Sequence, residues 1–120
     1  MLKPNLIIFY VKDPVESSAF YEKIFDLKPS FVYPTYVSFS FNHWHFALWS
    51  TTAKDFVSEG SGQRCELAFM VPNEEEVHRL RKVWGDMGVR IEQDLFRAAF
   101  GLTFVAFDPE GHRIRVCIPD

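Results

Sequence analysis

The sequence predicts an α+β protein built of two βαβββ modules, and three observations carry that prediction. A β-prone run followed by a capped helix and further strands occurs twice. The copies are in phase, because Val11 and Val71 close their first strands and Asp13 and Asn73 stand at their helix starts, each pair 60 residues apart. The chain then closes on a hairpin pattern, two apolar runs around Asp108-Pro109-Glu110-Gly111. Identity between the copies is low, so the repeat is one of architecture. Each module alone is a helix on a small curved sheet with one face uncovered. Two side by side can bury that deficit and leave a cleft.

Asn5 to Val11 is a strongly β-prone run. Asp13 suits a helix N-cap, Pro14 the first helical position, and Glu16 the position that closes a capping box. The helix that follows carries Val15, Ala19, Phe20, Ile24 and Leu27 on one side and ends at Pro29. Phe31–Tyr33, Tyr36–Phe41 and His45–Ser50 read as strands, with breaks at Pro34-Thr35 and Asn42-His43. The polar stretch near 51–62 reads as a linker between modules at about 1–57 and 63–120, which together form one domain.

Arg64 to Val71 restarts the pattern. Asn73 caps the second helix and Glu76 is placed to close its box; Val77, Leu80, Trp84 and Met87 form the apolar stripe, and Gly88 ends it. Val89–Glu92 reads as a short strand, Gln93–Ala99 as a polar-aromatic loop, and Phe100–Ile118 as the closing hairpin. In that hairpin Pro109 presets a turn dihedral, Asp108 accepts from the backbone two residues on, and Gly111 suits the last turn position. Strand parity sets Arg113, Arg115 and Cys117 on one face and Ile114, Val116 and Ile118 on the other.

Composition bounds the function. With 120 residues the chain can build one proper core but not two ordinary domains. A net charge of −3 argues against a nucleic-acid footprint. Aromatic residues make up 17%, 13 of them Phe, which fits a Phe-packed core and, more sharply, a ring-walled pocket. Cys65 and Cys117 match no metal spacing and read as buried apolar thiols. No apolar run approaches a membrane span and Met1-Leu-Lys-Pro-Asn5 lacks the core of a signal peptide, so a cytoplasmic protein without a membrane partner is expected. His43 and His45 share a strand face, but no third metal ligand is apparent. His78 and His112 read as solvent-facing. No Ser-His-Asp pattern, phosphate loop or other nucleophile motif stands out, so no catalytic residue is assigned.

Val11-Lys-Asp-Pro-Val-Glu-Ser-Ser-Ala-Phe-Tyr-Glu-Lys-Ile-Phe-Asp-Leu27 resembles the V-x-D-x-x-x-S-x-x-F-Y-x-x-x-L-G-L opening of the vicinal oxygen chelate superfamily. Phe107-Asp-Pro-Glu-Gly-His-Arg-Ile-Arg-Val116 is similar to its D-P-D-G-N-x-I-E-L closing motif. That superfamily holds glyoxalases, extradiol dioxygenases, and fosfomycin and bleomycin resistance proteins. The resemblance implies the glyoxalase/bleomycin-resistance fold, with paired modules forming a cupped mixed sheet, and a two-fold homodimer. In the enzymes of the family, the cup holds a divalent metal on four side chains. Carried over, those positions fall on Leu6, on Ala47 or Leu48, on Glu66 and on Arg115. A permanent cation where a carboxylate belongs argues against a metal cofactor.

The expectation is therefore a metal-free small-molecule binder, similar to bleomycin- or phenazine-type antibiotic resistance proteins. The class alternative is a metal-dependent lyase or a dioxygenase of the same superfamily. The expected ligand is planar and aromatic, and the candidate binding residues are Tyr10, Trp44, His45, Trp49, Glu66, Phe96, Phe100 and Arg115. Trp49 could stack on it, and Trp44, Phe96 and Phe100 could close the rim. Glu66 and Arg115 could pair with each other, orient the ligand, or do both.

Overall fold

The computed structural model of the chain describes residues 1, 3–54 and 65–119. The chain divides into two compact units, Met1–Ser61 and Gly62–Asp120. Of the linker expected near 51–62, residues 55–62 lie outside the described residues.

The first unit runs β1 (Leu6–Val11), α1 (Pro14–Phe25), β2 (Phe31–Tyr33), β3 (Tyr36–Phe41) and β4 (Trp44–Ser50). Its sheet has the order β1-β4-β3-β2, with β1 parallel to β4 and the other pairs antiparallel. Asp13 caps α1 by accepting from the Val15 and Glu16 amides, both at 3.1 Å, and Pro14 occupies the first turn. The helix ends at Asp26, in the left-handed region at φ 51°, before Pro29 is reached. Its buried face also differs from the expected stripe. Pro14, Ser17, Ser18 and Tyr21 are buried, whereas Val15, Ala19 and Leu27 are exposed. The two serines are small enough to bring the helix onto the sheet, and the Ser18 hydroxyl returns its proton to the Val15 carbonyl at 2.8 Å. Tyr21 then reaches Phe46 at 4.8 Å and Phe25 at 5.4 Å between ring centroids. Phe46 also meets Phe9 edge-on at 5.1 Å, so the core of this unit is a cluster of rings around one phenylalanine.

The second unit repeats the plan with β5 (Glu66–Met70), α2 (Glu74–Asp86), β6 (Ile91–Ala98), β7 (Gly101–Phe107) and β8 (Arg113–Cys117). Its order is β5-β8-β7-β6, the same topology as the first, again with the first and last strands parallel. Asn73 caps α2 by accepting from the Glu76 amide at 3.0 Å, while the Glu76 carboxylate binds Arg79 at 2.7 Å instead of reaching back to close a capping box. Val77 and Trp84 are buried, and Trp84 packs edge-on against Phe104 at 5.4 Å and Phe69 at 5.9 Å. Gly88, at φ +80°, takes the left-handed position after the helix, where a Cβ is disfavoured.

The expected loop at Gln93–Ala99 is instead most of β6, an edge strand with shifts in register between Ile91 and Gln93 and between Gln93 and Phe96. Its polar residues clamp it to α2. Arg81 of the helix grips Asp94 of the strand at 2.7 and 3.1 Å, and Arg97 of the strand grips Glu74 of the helix at 2.7 and 2.9 Å. Hydrogen bonding to Arg81, then to the Leu95 amide, pulls the Asp94 carboxyl down from 3.8 to about 2. Charged, bulged edges of this kind also discourage pairing with other chains.

The closing turn forms as expected but is tighter. The Asp108 carboxylate is buried and accepts from the Glu110 amide at 2.9 Å, the His112 amide at 2.8 Å and His112 Nδ1 at 2.7 Å. His112 is therefore not solvent-facing; its side chain is 14% exposed. Cys65 lies ahead of β5 and is exposed, and Cys117 is half-buried, so neither is a buried core thiol.

Candidate functional site

Strand parity fixes the face of the second sheet that α2 leaves open. On β8, Ile114 and Val116 are fully buried while Arg113, Arg115 and Cys117 are half-buried on the other side. Arg113 lies opposite Glu66 of β5, and Arg115 lies between Ala68 of β5 and Val105 of β7. Glu66 and Arg115 are thus diagonal neighbours, a separation that two long side chains can bridge. The Arg115 Nε donates to Glu66 Oε1, Nη2 to Glu66 Oε2 at 3.4 Å, and Nη1 to Thr103 Oγ1 at 3.1 Å. Thr103 is fully buried and passes its own proton to the Val116 carbonyl at 2.7 Å. The guanidinium carbon stands 5.5 Å from the centre of the Phe100 ring, within cation–π range.

The second arginine extends this arrangement. Arg113 Nη1 is 3.4 Å from Glu66 Oε2, and its Nε donates to Glu92 at 2.7 Å. The charges alternate Glu92, Arg113, Glu66, Arg115. Phe96 lies opposite Thr103 on the same open face, 37% exposed. The second module therefore brings together Glu66, Arg115, Phe96 and Phe100. Parity in the sequence already sets Arg113 on this face beside Arg115; Thr103 and Glu92 join them only through the pairing of strands, Thr103 as the diagonal neighbour of Arg115 across β7 and β8.

The first module, taken by itself, presents rings on its open face. Tyr10, Trp49, Tyr36 and Tyr33 form one row across all four strands. Tyr10 and Trp49 meet edge-on at 6.3 Å. The next row, Ile8, Ala47, Ser38 and Phe31, has two small residues at its centre. His45 follows, with Nδ1 3.1 Å from Ser40 Oγ, which is 2.9 Å from Ser30 Oγ. Trp44 departs from expectation. Its parity is that of buried Phe46 and Leu48, and it stacks on Phe41 at 4.6 Å, so it faces the helix side, away from Tyr10, His45 and Trp49.

Two open grooves, of about 450 and 580 Å³, flank α1, and neither is lined by any of these residues.

Register also resolves the four positions that the family motif marks. Ile8 pairs with Ala47 as Ala68 pairs with Arg115, so Ala47, and not the buried Leu48, is the counterpart of Arg115. Leu6 and Ala47 offer no donor atom, and both Glu66 oxygens are engaged by arginines. Within neither module does the pair at these positions fit a divalent cation, which needs several oxygen or nitrogen ligands free of competing cations.

A family model described as Glyoxalase/Bleomycin resistance protein/Dioxygenase superfamily matches residues 3–116. The chain belongs to that superfamily. It is 36% identical over 120 residues to the phenazine antibiotic resistance protein EhpR of Enterobacter agglomerans, covering 97% of this chain and 92% of that one. A protein of Agrobacterium tumefaciens solved by solution NMR is 34% identical, with a TM-score of 0.86 over 100% of this chain and 99% of its own. A Burkholderia phytofirmans enzyme of the same superfamily, at 22% identity and a TM-score of 0.78, covering 93% of this chain and 94% of its own, shares the fold.

Proposed function

We propose that the protein binds a planar aromatic small molecule of the phenazine kind, without a metal, and serves antibiotic resistance by sequestering it. The observation that carries this reading is the Arg115–Glu66 pair standing at family metal positions. An arginine has five N–H donors. Three are used here, on Glu66 twice and on Thr103. Two remain to orient a carboxylate or carbonyl of a ligand, while Phe96 and Phe100 supply apolar contact. Likeness to a phenazine resistance protein over nearly the whole chain supports the ligand class.

The protein acts as a cytoplasmic homodimer, without a nucleic-acid or membrane partner. Two free cysteines, one exposed, suit a reducing compartment, and a net charge of −3 argues against a polyanionic partner. The dimer rests on family likeness. Sedimentation at micromolar concentration should give twice the chain mass, and a monomer would refute it.

Titration with phenazine, followed by tryptophan emission and melting temperature, tests the main reading. Saturable quenching and a raised melting point are expected. Absence of both across several planar antibiotics, or a stoichiometric metal in protein purified without chelator, would overturn it.

A further inference from the structure

We propose that His45 is a dedicated hydrogen-bond acceptor on the open face of the first module, set in that role by Ser40 and Ser30, and that the ligand it takes carries a hydroxyl or N–H donor on its ring. The naming of a ligand rests on the function proposed above; the state of His45 does not.

Each hydroxyl proton along one chain of side chains has a fixed place. Ser30 precedes β2, Ser40 is on β3, and His45 lies opposite Ser40 on β4. The Ser30 hydroxyl is 3.2 Å from the Ser38 carbonyl. A carbonyl only accepts, so Ser30 must donate there, and a hydroxyl has one proton. Ser30 Oγ must then accept from Ser40 Oγ, 2.9 Å away. That uses the proton of Ser40, so Ser40 Oγ must accept from His45 Nδ1 at 3.1 Å. The proton of a neutral His45 therefore sits on Nδ1, and Nε2 is left with a bare lone pair.

The fixed end of the chain is a backbone carbonyl already held in the fold, where it also accepts from the Ser30 amide at 2.8 Å. Nothing in the relay can reverse direction without breaking the bond to Ser38. The His45 backbone is pinned too, its amide donating to the Asn5 carbonyl at 2.7 Å. The ring is exposed, and among the described residues no group bonds Nε2. Its cross-strand partner on the other side is Leu6, which has no polar atom to offer.

A lone pair held on an apolar and aromatic face selects for a donor. It accepts from a phenol, hydroxyl or amine and offers nothing to an ether or a carbonyl. Ser40 and Ser30 are positioning residues: they touch the imidazole or each other and select its tautomer.

Two measurements test this. Long-range proton–nitrogen correlation spectra at mildly alkaline pH report which ring nitrogen is protonated, with His45 identified by the signal missing in His45→Phe. A wild-type His45 protonated on Nδ1, moving to Nε2 in Ser40→Ala and restored in Ser40→Thr, is expected. A wild-type ring protonated on Nε2, or a Ser40→Ala spectrum unchanged from wild type, overturns the relay. Affinity is then compared for hydroxyphenazine and methoxyphenazine, substituted at the same carbon away from the ring nitrogens. One hydrogen bond corresponds to about a tenfold preference for the hydroxyl compound. That preference should vanish in His45→Phe and fall in Ser40→Ala. Equal affinities in the wild type overturn the ligand half alone. Failure of both compounds to bind removes the proposed function and the ligand half together, while the spectra still decide the tautomer.

Discussion

Glu66 stands between two guanidiniums, and that makes the charge network asymmetric. In Arg115→Met, Glu66 keeps Arg113, whose Nη1 is 3.4 Å from Oε2. Thr103 keeps its bond to the Val116 carbonyl. The loss is a charge-assisted contact of about 1.5–3 kcal/mol, discounted for solvent because the side chains are 15% and 27% exposed. About 1–2 kcal/mol of destabilisation is expected. In Glu66→Gln the same contact weakens, and Arg113 and Arg115 now face each other with Glu92 alone to offset them. An uncompensated, partly buried charge costs more than a missing partner, so about 2–3 kcal/mol is expected. Urea unfolding at neutral pH, with unchanged slope, measures both, and the double variant closes the cycle with a coupling of about 1 kcal/mol or more. If Arg115→Met costs as much as Glu66→Gln, or the two effects simply add, the alternating network does not hold the site together.

In the first module, Phe46→Ala should cost about 3–5 kcal/mol in thermal or urea unfolding, since the ring is fully buried among Phe9, Tyr21, Phe25 and Phe39; a cost below about 1 kcal/mol would mean those rings close over the gap. Asp94 contributes stability that is fully present above its ordinary value of 3.8 and is lost as pH falls toward about 2, because its folded value lies below its unfolded one. Glu74 and Glu76 are lowered too and act in the same direction. Acid unfolding curves should therefore steepen over that window, and Asp94→Asn should flatten them; an identical curve for the variant would exclude the clamp. Asp108→Ala strips three acceptor bonds from the closing turn and should cost about 2–4 kcal/mol, whereas Asp108→Asn keeps one oxygen for the Glu110 and His112 amides and should cost about half as much. Equal losses would show that the turn depends on the charge and not on the amides.

The repeat was legible because its punctuation is local. Asp13-Pro14, Asn73 and Gly88 act through their own backbone neighbours. Parity was legible for the same reason, and it placed Tyr10, His45, Trp49 and Arg115 on open faces. The failures share another cause. Ser17 and Ser18 look polar, yet they are buried to let Tyr21 reach Phe46, a choice made by the sheet. Gln93 to Ala99 looks like a loop until Arg81 and Glu74 of the preceding helix engage it. Trp44 is the exception: the same parity that places His45 and Trp49 on the open face places it on the other, beside Phe41. Ser30, Ser40 and His45 meet only once three segments are laid in register, and no local signal in the chain announces them.

The parallel pairing of first and last strands sets an order of assembly. In its sheet β1 has β4 as its neighbour, and β5 has β8. A chain growing from its N-terminus therefore holds each opening strand in suspense until the whole module has been made, when a single late strand captures it. The first module can finish this closure from its own sequence while the second is still being synthesised. The second waits in the same way. Until Arg113–Cys117 arrives, Glu66–Met70 has two bare edges and the apolar stretch Leu67-Ala-Phe-Met70, a template for pairing with a neighbouring copy. A break in translation just ahead of β8 would leave this strand uncaptured, as a break ahead of β4 would leave β1.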